Sequence, residues 1–91
     1  MEMFYTYILY SETIQKFYTG QTEDLNRRIE EHNRGKTPFM VKGMPWRLVF
    51  YKEFPLRSDA VKLEKQIKKR GASRFLTDNN IGLGLRITHK A

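Results

Sequence analysis

The sequence predicts a small α+β fold, in which a three-stranded antiparallel sheet is flanked by helices. Short runs of β-branched and aromatic residues indicate strands, and a polar turn joins the first two runs as in a hairpin. Amphipathic segments indicate helices, and the resulting order, β–β–α–β–α–α, contains no β–α–β repeat. The 91 residues fit a single domain over 1–91, with a core at about 3–80.

Three segments are predicted to be strands. The first covers residues 4–10, and a turn over 11–16 leads into the second, 17–20, which ends at Gly20. A residue without Cβ can end a strand or let a ligand approach the backbone. The third strand, 47–54, is stopped by a proline. The period of two divides the first strand into one face with Tyr5, Tyr7 and Leu9 and another with Thr6, Ile8 and Tyr10.

The first predicted helix spans residues 24–33. Leu25 and Ile29 lie four residues apart on one side of it, and Gly35 stands where a left-handed C-terminal cap is expected. The next segment, 34–46, contains two glycines and two prolines, so we expect a basic loop there.

The helix with the clearest sequence signals follows the third strand. Ser58 is a good N-cap for it, and Gly71 can close it. Its apolar stripe consists of Ala60, Leu63 and Ile67. A shorter helix is predicted from Ser73, and the tail 82–91 is predicted to be either an extra strand or a flexible end.

Positive charge is concentrated in the middle of the chain. The formal net charge is +7, of which residues 1–31 contribute −3, residues 32–74 contribute +9 and the remainder contributes +1. Such a block is typical of a protein that binds a polyanion, most simply nucleic acid. A solvated basic face, common on small soluble domains, is the plainer alternative.

The composition excludes several classes of protein. The absence of cysteine rules out disulfides, Cys-ligated zinc, iron–sulfur clusters and a thiol nucleophile. The longest apolar runs are only a few residues, far below the roughly 20 needed to cross a bilayer. No charged and then apolar leader opens the sequence. We therefore expect a cytoplasmic protein without membrane association.

Glu64 is the most informative single residue, because it occupies the i+4 position of the apolar stripe. A carboxylate there must be paired, bound to a metal ion or placed at the rim of a cleft. Taken alone, an ion pair with Lys68 one turn later is the better interpretation.

Arg28 and His32 lie four residues apart on the first helix, on the side of its apolar residues. We therefore expect both near the sheet edge, where a guanidinium could hold a phosphate and an imidazole could exchange a proton. In isolation they are more simply a solvated arginine and an ordinary histidine at a helix end. The hairpin tyrosines, Tyr18 among them, are likewise usually packing residues.

Taken together, these positions resemble the signature of the GIY-YIG nucleases. Tyr5-Thr6-Tyr7 and Tyr18-Thr19-Gly20 are similar to its paired tripeptides. Arg28 follows Gly20 by eight residues, and His32 follows Arg28 by four. Glu64 falls in a later helix, where the family has its metal-binding glutamate. The resemblance is greatest to the small single-domain bacterial members, and extends to the amino-terminal catalytic domain of the family's excision-repair nuclease.

The match departs from the family pattern inside both tripeptides. Tyr5 and Thr6 replace glycine and isoleucine in the first, and Thr19 replaces the middle isoleucine in the second. We interpret these changes as tolerated. The family also has a late asparagine near its site, and both Asn79 and Asn80 are candidates for it.

The resemblance implies hydrolysis of phosphodiester bonds with one divalent ion, Mg²⁺ or Mn²⁺, held by Glu64. It also implies that Arg28 stabilises charge on the scissile phosphate. Tyr7 would position or deprotonate the attacking water, with Tyr18 as a hydrogen-bonding partner. Because an ordinary tyrosine pKa of about 10 makes a poor base, Arg28 and the metal would have to lower it or His32 would have to relay the proton.

The resemblance defines the substrate and the biological role less closely than it defines the reaction. Backbone contacts with nucleic acid are expected from six basic residues: Lys36, Lys42, Lys65, Lys68, Lys69 and Arg70. We expect an endonuclease acting on DNA rather than RNA, in repair or recombination, and a protein partner for targeting is left open. The alternative is a non-catalytic or partner-dependent nucleic-acid-binding module on the same fold.

Overall fold

The computed structural model describes residues 2–81. The strands are β1 (Phe4–Ser11), β2 (Lys16–Thr22) and β3 (Trp46–Phe54), and the helices are α1 (Leu25–Arg34), α2 (Pro38–Gly43), α3 (Arg57–Arg70) and α4 (Ala72–Asp78). The predicted α+β class with a three-stranded antiparallel sheet is confirmed. Within 2–81, no helix is long and apolar enough to span a bilayer. The predicted tail at 82–91 lies outside the described residues.

The first strand lies at the centre of the sheet. The strand order is β2-β1-β3, and β1 is antiparallel to both neighbours. Tyr7 is therefore flanked by Gly20 of β2 on one side and by Tyr51 of β3 on the other. The register with β3 shifts between Ile8 and Leu9, which marks a bulge. This order places the two tyrosine-containing tripeptides side by side.

The two faces of β1 bury two separate apolar clusters, as the alternation in the sequence predicts. The cluster on the face covered by α1 is formed by Tyr7, Leu9 and Trp46, with Leu25 and Ile29 packed against it. The cluster under α3 and α4 is formed by Ile8, Ile67 and Leu76. On this second face, the buried hydroxyl of Thr6 donates to the Ala60 carbonyl over 2.7 Å, which attaches α3 to the central strand.

Both ends of α1 follow the sequence signals. The side chain of Asp24 accepts a hydrogen bond from the Arg27 N–H over 3.1 Å, as an N-cap does. Gly35 adopts the left-handed conformation, with φ 73°, and its N–H donates to the His32 carbonyl. The two caps define the ends of α1, and His32 in its last turn is buried.

The segment predicted to be a loop contains a short helix, α2, so that prediction was wrong. The hydroxyl of Thr37 caps α2 by accepting from the Met40 N–H over 3.2 Å, and Pro38 fits the first turn because no N–H donor is needed there. The Trp46 indole N–H donates to the Met40 carbonyl over 3.0 Å, which holds α2 against β3. The glycines and prolines that suggested a loop lie at the ends of α2 or outside it.

The predicted N-cap of α3 was also wrong. The helix begins at Arg57, with Leu56 as N-cap and without a side-chain capping bond. Ser58 therefore lies inside the first turn. Arg57 has tertiary contacts that favour this earlier start, because its guanidinium lies 4.7 Å from the Phe4 ring centroid and 3.2 Å from the Glu23 carboxylate. The predicted closure at Gly71 is confirmed by its N–H, which donates to the Ile67 carbonyl.

Candidate active site

The candidate site is built around Tyr7, whose hydroxyl lies over Gly20 of the neighbouring strand. A Cβ on Gly20 would lie 2.6 Å from the Tyr7 hydroxyl oxygen and 2.9 Å from Cζ. Both distances are shorter than van der Waals contact, so only glycine fits without a shift. Tyr7 is fully buried, and its ring stacks with that of Tyr18 at a centroid distance of 6.4 Å. The glycine of the second tripeptide thus makes room for the tyrosine of the first.

His32 packs against the two tyrosines from α1. Its side chain is fully buried, and Nε2 lies 3.4 Å from the Tyr7 hydroxyl. The imidazole centroid is 4.5 Å from the Tyr18 ring centroid. Within residues 2–81, Nδ1 has no hydrogen-bond partner. The structure therefore brings three of the predicted site residues into direct contact.

Arg28 lies one turn before His32 and is restrained by an acidic neighbour. Its Nε is 3.3 Å from the carboxylate of Glu31, which also pairs with Arg27 at 3.7 Å and with Lys36 at 3.9 Å. Glu31 is not among the site residues that the sequence predicts. The spacing of three residues on one helix is the signal that could have identified it.

Glu64 approaches the cluster from α3. Its side chain is 19% exposed, and Lys68 Nζ lies 2.9 Å from its carboxylate. The ion pair that the sequence favoured for Glu64 in isolation is thus present. The negative charge of Glu64 also acts on the Tyr7 hydroxyl, because it raises the pKa of that group. One carboxylate therefore lies within electrostatic reach of the buried phenol, with a lysine as its counter-ion.

Burial raises the pKa of Tyr7 to about 12. Loss of hydration is the largest cause, and the neighbouring Tyr18 and Glu64 add to it. The positive charge of Arg28 acts in the opposite direction without offsetting the rise. Arg28 therefore does not lower the pKa of Tyr7 to the value that a tyrosinate base would require. Near neutral pH, Tyr7 is a protonated phenol that can donate a hydrogen bond.

The pKa of His32 is lowered from 6.5, chiefly because the ring is buried. The charge of Arg28 lowers it further, and that of Glu31 works in the opposite direction. His32 is consequently a neutral imidazole near pH 7, able to accept a proton from the hydroxyl that it contacts.

The donors around the site fit a hard divalent ion held by a single protein ligand. Residues 2–81 contain no group of three or more His, Cys, Asp or Glu that could hold a metal ion. Magnesium is commonly bound through one or two carboxylates, with water and substrate phosphate completing its shell. Glu64, partly exposed at the edge of the cluster, matches that pattern.

The basic residues predicted to bind nucleic acid lie in two regions. The first region is the segment around α2, and the second is α3; in chain order the residues are Lys36, Lys42, Lys65, Lys68, Lys69 and Arg70. All six are exposed. Half of them have an acidic partner: Lys36 pairs with Glu31, Lys68 with Glu64 and Arg70 with Asp78. Their contribution to binding an anion is thereby reduced.

Both candidate asparagines lie at the end of α4. The Asn79 side chain donates to the Phe75 carbonyl over 2.8 Å, and Asn80 has a left-handed backbone with φ 57°. In the described part of the chain, neither side chain forms a hydrogen bond to the Tyr7 cluster. The assignment of either asparagine to the site stays a prediction.

Comparison with known proteins identifies relatives along almost the whole chain. A family model described as the GIY-YIG catalytic domain matches residues 3–77, a range that contains Tyr7, Tyr18, Arg28, His32 and Glu64. The chain is 34% identical over 84 residues to a UPF0213 protein of Pediococcus pentosaceus, covering 88% of this chain and 87% of that one. It is 38% identical over 65 residues to UPF0213 protein BH0048 of Halalkalibacterium halodurans, covering 70% and 68%.

A solved structure shows the same fold. The solution NMR structure of UPF0213 protein BH0048 from Bacillus halodurans superposes with a TM-score of 0.57 at 33% sequence identity. The superposition covers 97% of this chain and 95% of the other.

Replacing Gly20 with alanine is expected to destabilise the protein and to disturb the contact between Tyr7 and His32. The added methyl would overlap the Tyr7 hydroxyl, and overpacking of this kind typically costs about 1–3 kcal/mol in the free energy of unfolding. Urea unfolding measures that loss, and the NMR shift of the His32 ring reports the contact. Gln21→Ala, one residue along β2, is the control. Wild-type stability and an unchanged His32 shift in Gly20→Ala would contradict the packing account.

The pKa of His32 in the folded protein is expected to lie below 6.5. Since unfolded His32 binds its proton near pH 6.5, the unfolded state holds more protons between that pH and the folded pKa. His32 should therefore lower the free energy of unfolding as pH falls through this window, and have no effect above it. NMR titration of the ring in a His89→Gln background, which leaves one histidine, measures the folded pKa. A value at or above 6.5 would contradict the described burial beside Arg28.

Proposed function

Because the chain belongs to the GIY-YIG nuclease family, we propose that it is a metal-dependent endonuclease that hydrolyses phosphodiester bonds in nucleic acid, with DNA favoured over RNA. One observation carries this proposal. Tyr7, Tyr18 and His32 are in mutual contact, and the charges of Arg28 and Glu64 both act on the Tyr7 hydroxyl. Binding alone requires positive charge, and does not require a buried phenol beside an imidazole and a carboxylate.

Arg28 would bind the scissile phosphate. A guanidinium donates forked hydrogen bonds to phosphate oxygens, and its positive charge stabilises the negative charge that builds up as water attacks. The Arg28 side chain is 35% exposed, so a phosphate can reach it. Glu31 would act as a positioning residue, because its ion pair restrains the Arg28 guanidinium.

Tyr7 would orient the attacking water and pass on its proton. With a pKa of about 12, the hydroxyl remains protonated at neutral pH. Because Tyr7 is fully buried, the side chains that cover its hydroxyl would have to move when substrate binds, and the hydroxyl would then accept a hydrogen bond from water. It can donate at the same time to Nε2 of His32, 3.4 Å away. As water attacks, its proton would move to the Tyr7 oxygen while the phenolic proton moves to His32. This relay agrees with the protonation states of both groups, whereas a free tyrosinate does not.

Glu64 would hold the divalent ion. When bound, Mg²⁺ or Mn²⁺ supplies positive charge at the scissile phosphate and at the leaving 3′ oxygen. Lys68, paired with Glu64 at 2.9 Å, balances the carboxylate charge and restrains its position. Tyr18, in contact with both Tyr7 and His32, would complete the wall of the site and offer its hydroxyl to water or phosphate.

A nucleic-acid-binding module without catalysis is the second candidate. It is favoured by the ion pair that occupies Glu64. This candidate predicts salt-dependent binding without metal-dependent turnover on any substrate. A role in repair or recombination, and a partner protein for targeting, belong to the nuclease proposal.

The variant Glu64→Gln is expected to lose metal-dependent cleavage. A catalytic metal contributes several kcal/mol, and about 1.4 kcal/mol corresponds to tenfold in rate, so the rate should fall by roughly two orders of magnitude or more. Nicking of plasmid DNA and cutting of single-stranded and branched oligonucleotides, with Mg²⁺ or Mn²⁺ and with a chelator, measure this loss. Binding in chelator should persist, because the substitution leaves Lys68 free to contact phosphate.

Glu53→Gln is the matched control for this experiment. Glu53 is an exposed glutamate on β3, at the far edge of the sheet from β2. It should cleave at the wild-type rate. Wild-type cleavage by Glu64→Gln would remove Glu64 from the reaction. If Glu64→Gln lost both nucleic-acid binding and the cooperative thermal unfolding transition, the role of Glu64 would instead be structural.

A further inference from the structure

A cleft with one basic wall opens between β2 and the corner where α3 meets α4. Its volume is about 660 Å³, within the range of roughly 300–1,000 Å³ that ligand clefts usually have. Tyr18 and Thr19 of β2 line one side, and Lys68, Arg70, Ser73 and Arg74 line the other. Only Lys68 and Arg70 among these cations belong to the predicted nucleic-acid-binding set.

The cations of the cleft differ in how far they are already neutralised. Lys68 is paired with Glu64 at 2.9 Å. Arg70 makes a two-pronged contact with Asp78, in which Nε and a terminal nitrogen each bond one carboxylate oxygen at 2.7 and 3.0 Å. Among residues 2–81, Arg74 has no carboxylate within ion-pair distance. Arg74 is therefore the cleft cation that has no ion-pair partner in residues 2–81.

The contact between Arg70 and Asp78 lies at the corner of the cleft. It joins the last residue of α3 to the last residue of α4. Arg74 lies one turn before Asp78 on α4. Arg70 is the main cause of the lowered pKa of Asp78, and the charge of Arg74 adds to it from beyond ion-pair distance.

Two residues connect the cleft with the candidate active site. Tyr18 belongs to both, because it lines the cleft and its ring is 4.5 Å from His32 and 6.4 Å from Tyr7. Lys68 likewise lines the cleft and contacts Glu64. Among residues 2–81, β2 is an edge strand, so it offers backbone N–H groups that no other strand of this part of the chain uses.

We propose that this cleft binds the sugar-phosphate backbone of the nucleic acid strand on one side of the scissile phosphate, and that Arg74 is a phosphate-binding residue in it. The inference rests on the proposed function and adds the path of the strand to it. A polyanion matches Arg74, which has no ion pair in residues 2–81, and Tyr18 places the cleft beside the cluster around Tyr7. The Ser73 hydroxyl and the exposed N–H groups of β2 can donate to further phosphate oxygens.

The test is the salt dependence of binding, measured in chelator so that no cleavage occurs. Fluorescence anisotropy with a labelled single-stranded DNA oligonucleotide gives the affinity of wild type, Arg74→Ala and Lys52→Ala over a series of salt concentrations. Each phosphate contact contributes about 0.7 to the slope of log affinity against log salt for a single strand. Arg74→Ala should weaken binding several-fold and reduce the slope by about that amount.

Lys52→Ala is the matched control for charge. Lys52 is exposed and is the cross-strand partner of Thr6, so it lies on the face of the sheet that α3 covers. It belongs to β3, however, at the edge of the sheet opposite to β2 and the cleft. It removes the same charge without touching the cleft and should leave the slope near that of wild type. Arg74→Lys, which retains the charge, should recover most of the slope. Thermal unfolding checks that all variants are folded.

The outcomes separate this inference from the proposed function. Equal effects of Arg74→Ala and Lys52→Ala, or no effect of Arg74→Ala, would overturn the cleft assignment, while metal-dependent cleavage by wild type would leave the nuclease proposal standing. Absence of salt-dependent binding by the wild-type protein would overturn the cleft assignment. If wild type also failed to cleave any substrate, the proposed function would fail with it.

Discussion

Tyr7 lies in the middle of the central strand, and the rest of the site depends on the direction in which its side chain places the hydroxyl. With a neighbouring strand on each side, the phenol can extend only across one of them, and Gly20 is the position on β2 that has no Cβ in its way. Helix α1 then covers the phenol, and the caps at Asp24 and Gly35 determine where His32 meets it. The resulting burial raises the pKa of Tyr7 and lowers that of His32. The packing of α1 over Tyr7 thus determines both the contact between Tyr7 and His32 and the protonation states of the two groups.

Much of this arrangement can be predicted from the sequence, because its signals are local. Alternation along β1 assigns Tyr7 and Leu9 to one face and Ile8 to the other, and both assignments are confirmed. The spacing of Arg28 and His32 on α1 predicts that they share one side, and His32 does pack onto the tyrosines. Family membership follows from these spacings even though three positions of the tripeptides are substituted.

Features that depend on distant contacts or on opposing energies could not be predicted in this way. Helix α2 is held by the Trp46 indole, which comes from the next strand, and this contact outweighs the loop character of the segment. The pKa of Tyr7 depends on burial acting against the charge of Arg28, and spacing alone does not show which effect is larger. The basic residues of α3 and α4 lie close together in the sequence, yet Asp78 pairs with Arg70 while Arg74 has no ion pair within residues 2–81.

The central claim, that the Tyr7 hydroxyl takes part in phosphodiester hydrolysis, is tested most directly by Tyr7→Phe. This variant removes one oxygen atom and keeps the ring that fills the space beneath α1. Tyr51→Phe is its counterpart, because Tyr51 is the cross-strand neighbour of Tyr7 and is 51% exposed. On plasmid, single-stranded and branched DNA, we expect metal-dependent cleavage by wild type and Tyr51→Phe and its loss in Tyr7→Phe. Cleavage by Tyr7→Phe at the wild-type rate would contradict the account.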